Sequence, residues 1–504
     1  MILKKLIKNW HWILISLFFW IIALKCIPTD FCDLGGDSAQ YITLAESLAQ
    51  GKGLRMLNYP GEPFYFYYPP VFALLLYPII KFWGRNFYIM HLLIALFGYA
   101  SLYVMYQLFK KYADKKIAVF STCLMAINWA FILYSSEYIL SDIPYLFFSL
   151  FVLSSAAIYL KKHSSINKEG ILLLFGLCLT YFTRYIGITL YLGLLILFLV
   201  TPHKTKIKKI IFIGGVFLIV FGLWNACKTL LPSPMPSHLR LLFLIDPYAS
   251  YKGSLLANPL FFIFRFIDGT NYYYTLLSQA FFFSPLTGYI QEAACSLILG
   301  LLFLGFWRKF KENKECVFHY YFIAYLLLLI FWPFHEGVRF LIPILPFIYF
   351  YFLSGLHTSL LFIFKRLSSL FFYLVISVGI FFTALGSFRI AQASYQNCNT
   401  LPKPLENFIV LHEWIKDNLK DSIILSRKSS LTYFYTGNKS LCYPFTKNPD
   451  EIFSFARKNK ASYIIIDEFS KETYYYLTPF LKKYNTQLEL LQKIGKTGIF
   501  KIRE

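Results

Sequence analysis

FYIMHLLIALFGYASLYVMYQLFKKYADKK, residues 87–116, decides the fold class. Residues 87–109 carry no formal charge, and about 20 apolar residues in a helix cross the hydrocarbon core of a bilayer. The run then meets Lys110, Lys111, Lys115 and Lys116. A basic cluster directly after a span marks a cytoplasmic end. The same unit recurs on both sides of this stretch. Apolar runs at 10–27, 87–109, 117–135, 143–160, 170–183, 186–202, 210–231, 289–307, 317–333, 340–358 and 369–388 predict about eleven spans. The first run follows Lys4, Lys5 and Lys8. It is long enough to span and no small-residue cleavage site follows, so it reads as a retained helix rather than a signal peptide.

Basic clusters fall on alternate connections. They are Lys4/Lys5/Lys8, Lys110/Lys111/Lys115/Lys116, Lys161/Lys162/Lys168, Lys204/Lys206/Lys208/Lys209, Arg308/Lys309/Lys311/Lys314 and Lys365/Arg366. The alternation predicts a cytoplasmic N-terminus and an extracytoplasmic C-terminus, in a multi-pass protein of the inner membrane.

Composition agrees with that class. Charged residues make up 15% of the 504 and hydrophobic ones 57%, against about 25% charged in soluble domains. The 55 Phe and 39 Tyr suit lipid-facing and interfacial positions. A net charge of +23 raises the question of nucleic acid. The predicted cytoplasmic segments hold 20 Lys and Arg against 4 Asp and Glu, so most of the excess is a topology signal and no nucleic-acid partner is expected. None of the 9 Cys has metal-type spacing. Cys123, Cys178, Cys227 and Cys295 fall in apolar runs. Cys26, Cys32, Cys398 and Cys442 are at or beyond external boundaries, where disulfides are open.

Two external loops are long, at 28–86 and 232–288. In the first, Tyr41, Leu44, Ala45 and Leu48 recur at helical spacing and predict an amphipathic helix over 38–50 lying on the membrane surface. Residues 71–83 predict a second interfacial helix behind Pro69-Pro70. The pattern changes at Arg389. Helices are expected at 405–419, 449–459 and 471–484, and strands at 422–425, 462–466, 487–493 and 498–502. That makes residues 1–388 a membrane domain and 389–504 a small extracytoplasmic α/β domain. It carries no GxGxxG or P-loop.

The residues with chemistry stand at external span ends, the acids among them being Asp37, Glu137, Asp142 and Glu336. Asp37 in Gly35-Gly36-Asp37-Ser38 has two readings: a general base, or the N-cap of the helix that follows. Glu137 and Asp142 bracket a tight turn, and Asp142 precedes Pro144; these are further acids of a site, or helix-end residues that complement the dipole. Arg184 and Arg339 interrupt apolar runs. Each reads as a phosphate ligand or as a side chain snorkelling to the interface. Arg240, Arg265 and His335 are weaker candidates for the same anion. No second His stands near His335 to make a metal site.

At this point a family resemblance emerges. Gly36-Asp37-Ser38-Ala39-Gln40-Tyr41, Leu44-Ala45, Gly51-Lys52-Gly53 and Tyr68-Pro69-Pro70 resemble the first external loop of polyprenol-dependent glycosyltransferases of the GT-C fold. These include the protein O-mannosyltransferases and the lipid A aminoarabinose transferases. Ser141-Asp142-Ile143-Pro144, Leu179–Arg184 and Arg339–Pro346 are similar to later motifs of that group. The resemblance implies transfer of a sugar from a polyprenyl-phosphate donor to a glycan, lipid or protein acceptor at the outer face, with inversion. Asp37 then matches the base, and Arg184 and Arg339 match positions near the donor phosphate. No cofactor is required, and a divalent metal shared by Asp37 with Asp142 or Glu137 stays open. One departure stands out: the mannosyltransferases place two acids together in this loop, and here Ser38 follows Asp37. The competing readings are a transporter or flippase of lipid-linked sugars and a non-catalytic envelope scaffold. A flippase would carry internal symmetry and midplane charges.

Overall fold

The computed structural model describes residues 10–28, 30–31, 35–162, 167–200, 206–231, 238–246, 253–256, 258–282, 286–365, 368–399, 401–468 and 471–503. Lys4, Lys5, Lys8, Lys204, Arg366 and Cys32 lie outside them, as does the side chain of Cys398. The chain divides into two compact units, one of residues 1–29, 87–227 and 258–395, the other of 30–86, 228–257 and 396–504.

Among its described residues the first unit is built of helices joined by turns. A helix stands at each of the eleven predicted spans. Six are long and apolar enough to cross a membrane: Phe87–Phe109, Asp142–Tyr159, Ile207–Leu230, Gly288–Glu312, Leu345–Phe364 and Ser369–Ala393. Trp10–Cys26, Tyr185–Val200 and Val317–Phe331 are shorter apolar helices. Large apolar side chains such as Leu218, Leu223, Phe303 and Val378 are exposed. Water would penalise that surface and lipid would not, so the chain is an integral multi-pass membrane protein. Interhelical packing is close where side chains vanish. A Cβ on Gly305 would clash with the Tyr351 carbonyl, and one on Gly355 with the Leu301 carbonyl, so Gly288–Glu312 and Leu345–Phe364 touch backbone to backbone.

Three local expectations are corrected. The run 117–135 is not one straight span. It breaks by 58° between Lys115–Ala126 and Trp129–Ser136. Asn128 sustains the break: its Oδ1 accepts the Phe131 N–H at 2.9 Å, and its Nδ2 donates to the Ala280 carbonyl at 2.9 Å. The span expected from 340 begins at Leu345, because Pro343 and Pro346 disfavour helix before them; Gly337–Leu341 is a 3₁₀ turn instead. The loop 232–288 contains a 22-residue helix, Leu260–Phe281. Gly269 lies inside it, and its missing Cβ lets the helix approach the Ile330 carbonyl.

The second unit holds a five-stranded mixed sheet of order β2-β1-β3-β5-β4, with β1 at Ile423–Leu425, β2 at Lys439–Leu441, β3 at Tyr463–Ile466, β4 at Leu488–Ile494 and β5 at Thr497–Ile502. β1 pairs in parallel with β2 and β3, and β5 runs antiparallel to β3 and β4. Alternation along β3 splits the core. Ile464 and Ile466 face Ile452, Leu477 and Phe480 from Pro449–Lys458 and Lys471–Lys483. Ile465 faces Leu411 and Ile415 from Lys403–Asn418.

The segment 30–86 packs in this same unit. Asp37–Ala49 is a helix, as expected, but it is not laid on a membrane surface. Tyr41, Leu44, Gln40 and Thr43 are all buried, so both its faces are covered. Pro70–Trp83 and Ser429–Thr436 pack against it. Further along, the Asn58 carbonyl accepts the Ser440 N–H at 2.7 Å, which attaches the segment to edge strand β2.

Candidate functional site

In the first unit two part-exposed arginines meet one buried carboxylate, Asp142. It opens the Asp142–Tyr159 helix, where a carboxylate complements the helix dipole, and is 1% exposed. Arg184 Nη1 donates to its Oδ1, and Arg339 Nε donates to its Oδ2 at 3.2 Å. Arg184 lies where Lys168–Thr183 ends, in extended backbone, before the 3₁₀ turn Tyr185–Gly187. Arg339 lies in the Gly337–Leu341 turn. Gly337 enters that turn at φ 62°, and its N–H donates to the Tyr272 hydroxyl at 2.7 Å. The two guanidinium groups come from segments far apart in sequence and keep 18% and 14% exposure. They are desolvated enough to act strongly and open enough to meet a ligand. Arg184 also lies over the Phe340 ring at 5.7 Å.

Two cations share the one buried carboxylate. Glu336 approaches Arg339 Nη1 only to 3.8 Å and is 46% exposed, so it is a weak and displaceable partner. An anion with several oxygens would replace it with stronger, charge-assisted bonds. The Glu336 contact was not foreseen, although its place three residues before Arg339 was a signal.

The other candidates fall around this centre or in the second unit. Glu137 caps the C-terminus of Trp129–Ser136, half-buried, on a helix that packs against Gly337–Leu341. His335 is stacked on Tyr272 with ring centroids 4.0 Å apart, and its Nε2 is 3.7 Å from Asp268 Oδ2. Arg265 stands about one turn before Asp268 on Leu260–Phe281. Asp268 and Tyr272 were missed because both sit in a stretch read as loop. Arg240 belongs to the second unit, on His238–Phe243.

Asp37 is also in the second unit. Gly36, at φ 90°, takes the N-cap position without a side-chain cap, so Asp37 is the first helical residue. The Tyr68 hydroxyl donates to Asp37 Oδ1 at 2.6 Å. Tyr68 is stacked on Tyr41, centroids 4.8 Å apart. Burial, and then the neighbouring carboxylate, push the Tyr68 hydroxyl well above the usual phenol range, so it stays a proton donor to Asp37. Tyr68 was recognised as part of a motif but not as this carboxylate's partner. Among the described residues no three His, Cys, Asp or Glu side chains come together as a metal set. The cationic surrounding of Asp142 disfavours a divalent ion there.

Residues 68–224 match the family described as dolichyl-phosphate-mannose-protein mannosyltransferase. No curated protein matches the chain. Among solved structures it is similar to the archaeal oligosaccharyltransferase AglB of Archaeoglobus fulgidus, in complex with an inhibitory peptide and a dolichol-phosphate. That match has TM-score 0.60 at 13% identity and covers 96% of this chain and 73% of the other. An Archaeoglobus fulgidus oligosaccharyltransferase tethered to an acceptor peptide matches at TM-score 0.61 and 12% identity, over 96% and 73%. ArnT of Cupriavidus metallidurans, bound to undecaprenyl phosphate, matches at TM-score 0.55 and 12% identity, over 97% of both chains. The fold is that of the GT-C glycosyltransferases, and the resemblance read from the sequence motifs is borne out.

Proposed function

We propose that this chain is a membrane glycosyltransferase, moving a sugar from a polyprenyl-phosphate donor to a hydroxyl of a glycan, lipid or protein acceptor at the outer face of the inner membrane, with inversion. One observation carries the reading: a buried carboxylate, Asp142, holds two part-exposed arginines from distant segments within a GT-C fold. The ligands named for the two neighbours, dolichol-phosphate and undecaprenyl phosphate, share one headgroup chemistry, a phosphate on a long apolar chain. Such a donor presents its phosphate at headgroup depth, where a fixed pair of guanidinium groups meets it.

In this reading Arg184 and Arg339 bind the donor phosphate and stabilise it as it leaves. Preorganised charge aimed at a developing anion is usually the largest catalytic contribution. Asp142 is a positioning residue that sets both guanidinium groups, and Glu336 yields its place to the phosphate. Asp37, held by Tyr68, takes the acceptor's proton as the acceptor oxygen bonds to the anomeric carbon. The bond from that carbon to the phosphate oxygen breaks, and polyprenyl phosphate departs with the electron pair. The proton on Asp37 then passes to solvent.

The test is incubation of membranes containing the chain with undecaprenyl-phosphate-linked mannose, glucose or aminoarabinose, each radiolabelled in the sugar. Release of undecaprenyl phosphate with label on a new acceptor is expected. Movement of intact lipid-linked sugar across the bilayer without cleavage would replace the transferase by a flippase.

A further inference from the structure

The Ser429–Thr436 helix and the loop before it meet the Asp37 segment at several points, all within the second unit. Lys428 Nζ donates to the Gly35 carbonyl at 3.0 Å. Ser430 Oγ donates to Gln40 Oε1 at 2.7 Å. Leu431, 1% exposed, lies under Gly36, whose Cβ would come 3.8 Å from Leu431 Cγ. Phe434 packs on Phe31 with ring centroids 4.4 Å apart. The Phe434 carbonyl accepts Arg85 Nη1 at 2.8 Å, and Arg85 Nη2 reaches back to Glu46 Oε2, on the Asp37–Ala49 helix, at 3.0 Å.

These contacts are placed with purpose in the sheet. Lys428 and Ser430 follow the carboxyl end of β1, the central strand of the three parallel ones. In open α/β sheets that end, beside a strand whose neighbours lead to opposite sides, is where ligands ordinarily bind. Here the Gly35–Gln40 segment occupies it. The contacts fall on the residues that set Asp37: the carbonyl two residues before it, the left-handed Gly36, and the side chain three residues after it. Tyr68 holds the carboxylate itself. A turn at φ 90° on glycine has no steric preference of its own to keep it there, so its setting depends on what grips it from outside.

We propose that the Lys428–Phe434 segment of the C-terminal domain is a positioning element for Asp37, fixing the Gly35–Gly36 turn and with it the direction of the carboxylate. The inference rests on Asp37 being the base of the proposed transfer. It gives the C-terminal domain a part in the chemistry rather than in anchoring alone. Misplacing a reacting group by about 1 Å costs on the order of 100-fold in rate; loss of one of several grips should cost less.

The test uses the full chain in membranes, at matched expression and matched thermal unfolding, in single-turnover transfer from whichever of the three labelled donors it uses. Lys428→Met should slow transfer about 10-fold with the half-saturating donor concentration unchanged, and Lys428→Arg should restore most of it. Ser430→Ala is the milder companion should Lys428→Met reduce folding, with a smaller loss in the same direction. In an Asp37→Asn background Lys428→Met should cost less than about twofold, because residues acting through one group are not additive. An Asp37→Asn variant that loses transfer normally, combined with a full 10-fold further loss from Lys428→Met, would overturn the positioning role alone. So would a Lys428→Met single variant at the parent's rate. Undiminished transfer by Asp37→Asn would overturn the base assignment and this inference with it.

Discussion

Replacing Asp142 by Asn tests the donor site at its most buried point. The change keeps the shape of the side chain and removes its charge. Two charge-assisted hydrogen bonds, from Arg184 and Arg339, lose their acceptor charge, and the Asn amide points donors at one of them. Asp142 is 1% exposed, and the two arginines 18% and 14%, so water compensates little. Breaking a buried ion pair by removing one partner costs about 3–5 kcal/mol. In a chain of this size that is on the order of 5 °C of thermal stability. The diagnostic part is the response to ligand. An added polyprenyl phosphate would supply the negative charge that Asp142→Asn takes away from beside the two arginines, so it should stabilise Asp142→Asn by more degrees than it stabilises the parent. Thermal unfolding in detergent, with and without undecaprenyl phosphate, reads both quantities. A variant as stable as the parent, or one whose ligand shift is smaller, would refute the pairing of these arginines through Asp142 to receive a phosphate.

Arg184→Ala and Arg339→Ala should each weaken donor use with the fold retained, and Arg→Lys should rescue only in part, since lysine keeps the charge and loses the planar fork; donor titration in the transfer assay checks this. Glu336→Gln removes the weak competitor of the donor phosphate at Arg339 and should lower the half-saturating donor concentration severalfold, read in the same assay. In the C-terminal domain, His412 is fully buried between the Phe408 carbonyl and the Thr432 hydroxyl, and burial pushes its ring down to about 4. The unfolded chain binds a proton near pH 6.5 that the folded one refuses, so stability is full above 6.5 and falls as pH drops toward 4. The loss is about 2–3 kcal/mol by pH 4.5. Urea unfolding of the full chain from pH 7 to 4.5 should show that loss, and His412→Gln should remove it.

The helices were legible because lipid imposes one rule, an uninterrupted apolar run, that one sequence displays residue by residue. What escaped were features decided by distant partners. Asn128 breaks its span because the Ala280 carbonyl and the Tyr349 hydroxyl wait for its amide. The helix Leu260–Phe281 hid behind Arg265, Asp268 and Gly269, polar and small residues whose tertiary contacts lie elsewhere in the chain. The strand Lys439–Leu441 and the helix Ser429–Thr436 are too short to show a period. At the candidate site the single residues Asp142, Arg184 and Arg339 stood out, since a charge in an apolar setting is costly. Their pairing did not, because 42 and 197 residues separate the partners. Asp37 was legible as an acid before a helix, yet its cap reading and its bond to Tyr68 differ only in where Gly36 turns the chain.

Asp37 as the group that takes the acceptor's proton is tested most directly by single-turnover transfer with Asp37→Asn, at matched expression and matched donor binding. Asn keeps the size of the side chain and still accepts the Tyr68 hydroxyl, so the helix start should hold. It cannot take a proton at neutral pH, and general-base help is worth about 10²–10⁴-fold. The variant should fold, bind the polyprenyl-phosphate donor as the parent does, and transfer sugar slower by about that factor. Transfer at the parent's rate would contradict that role of Asp37.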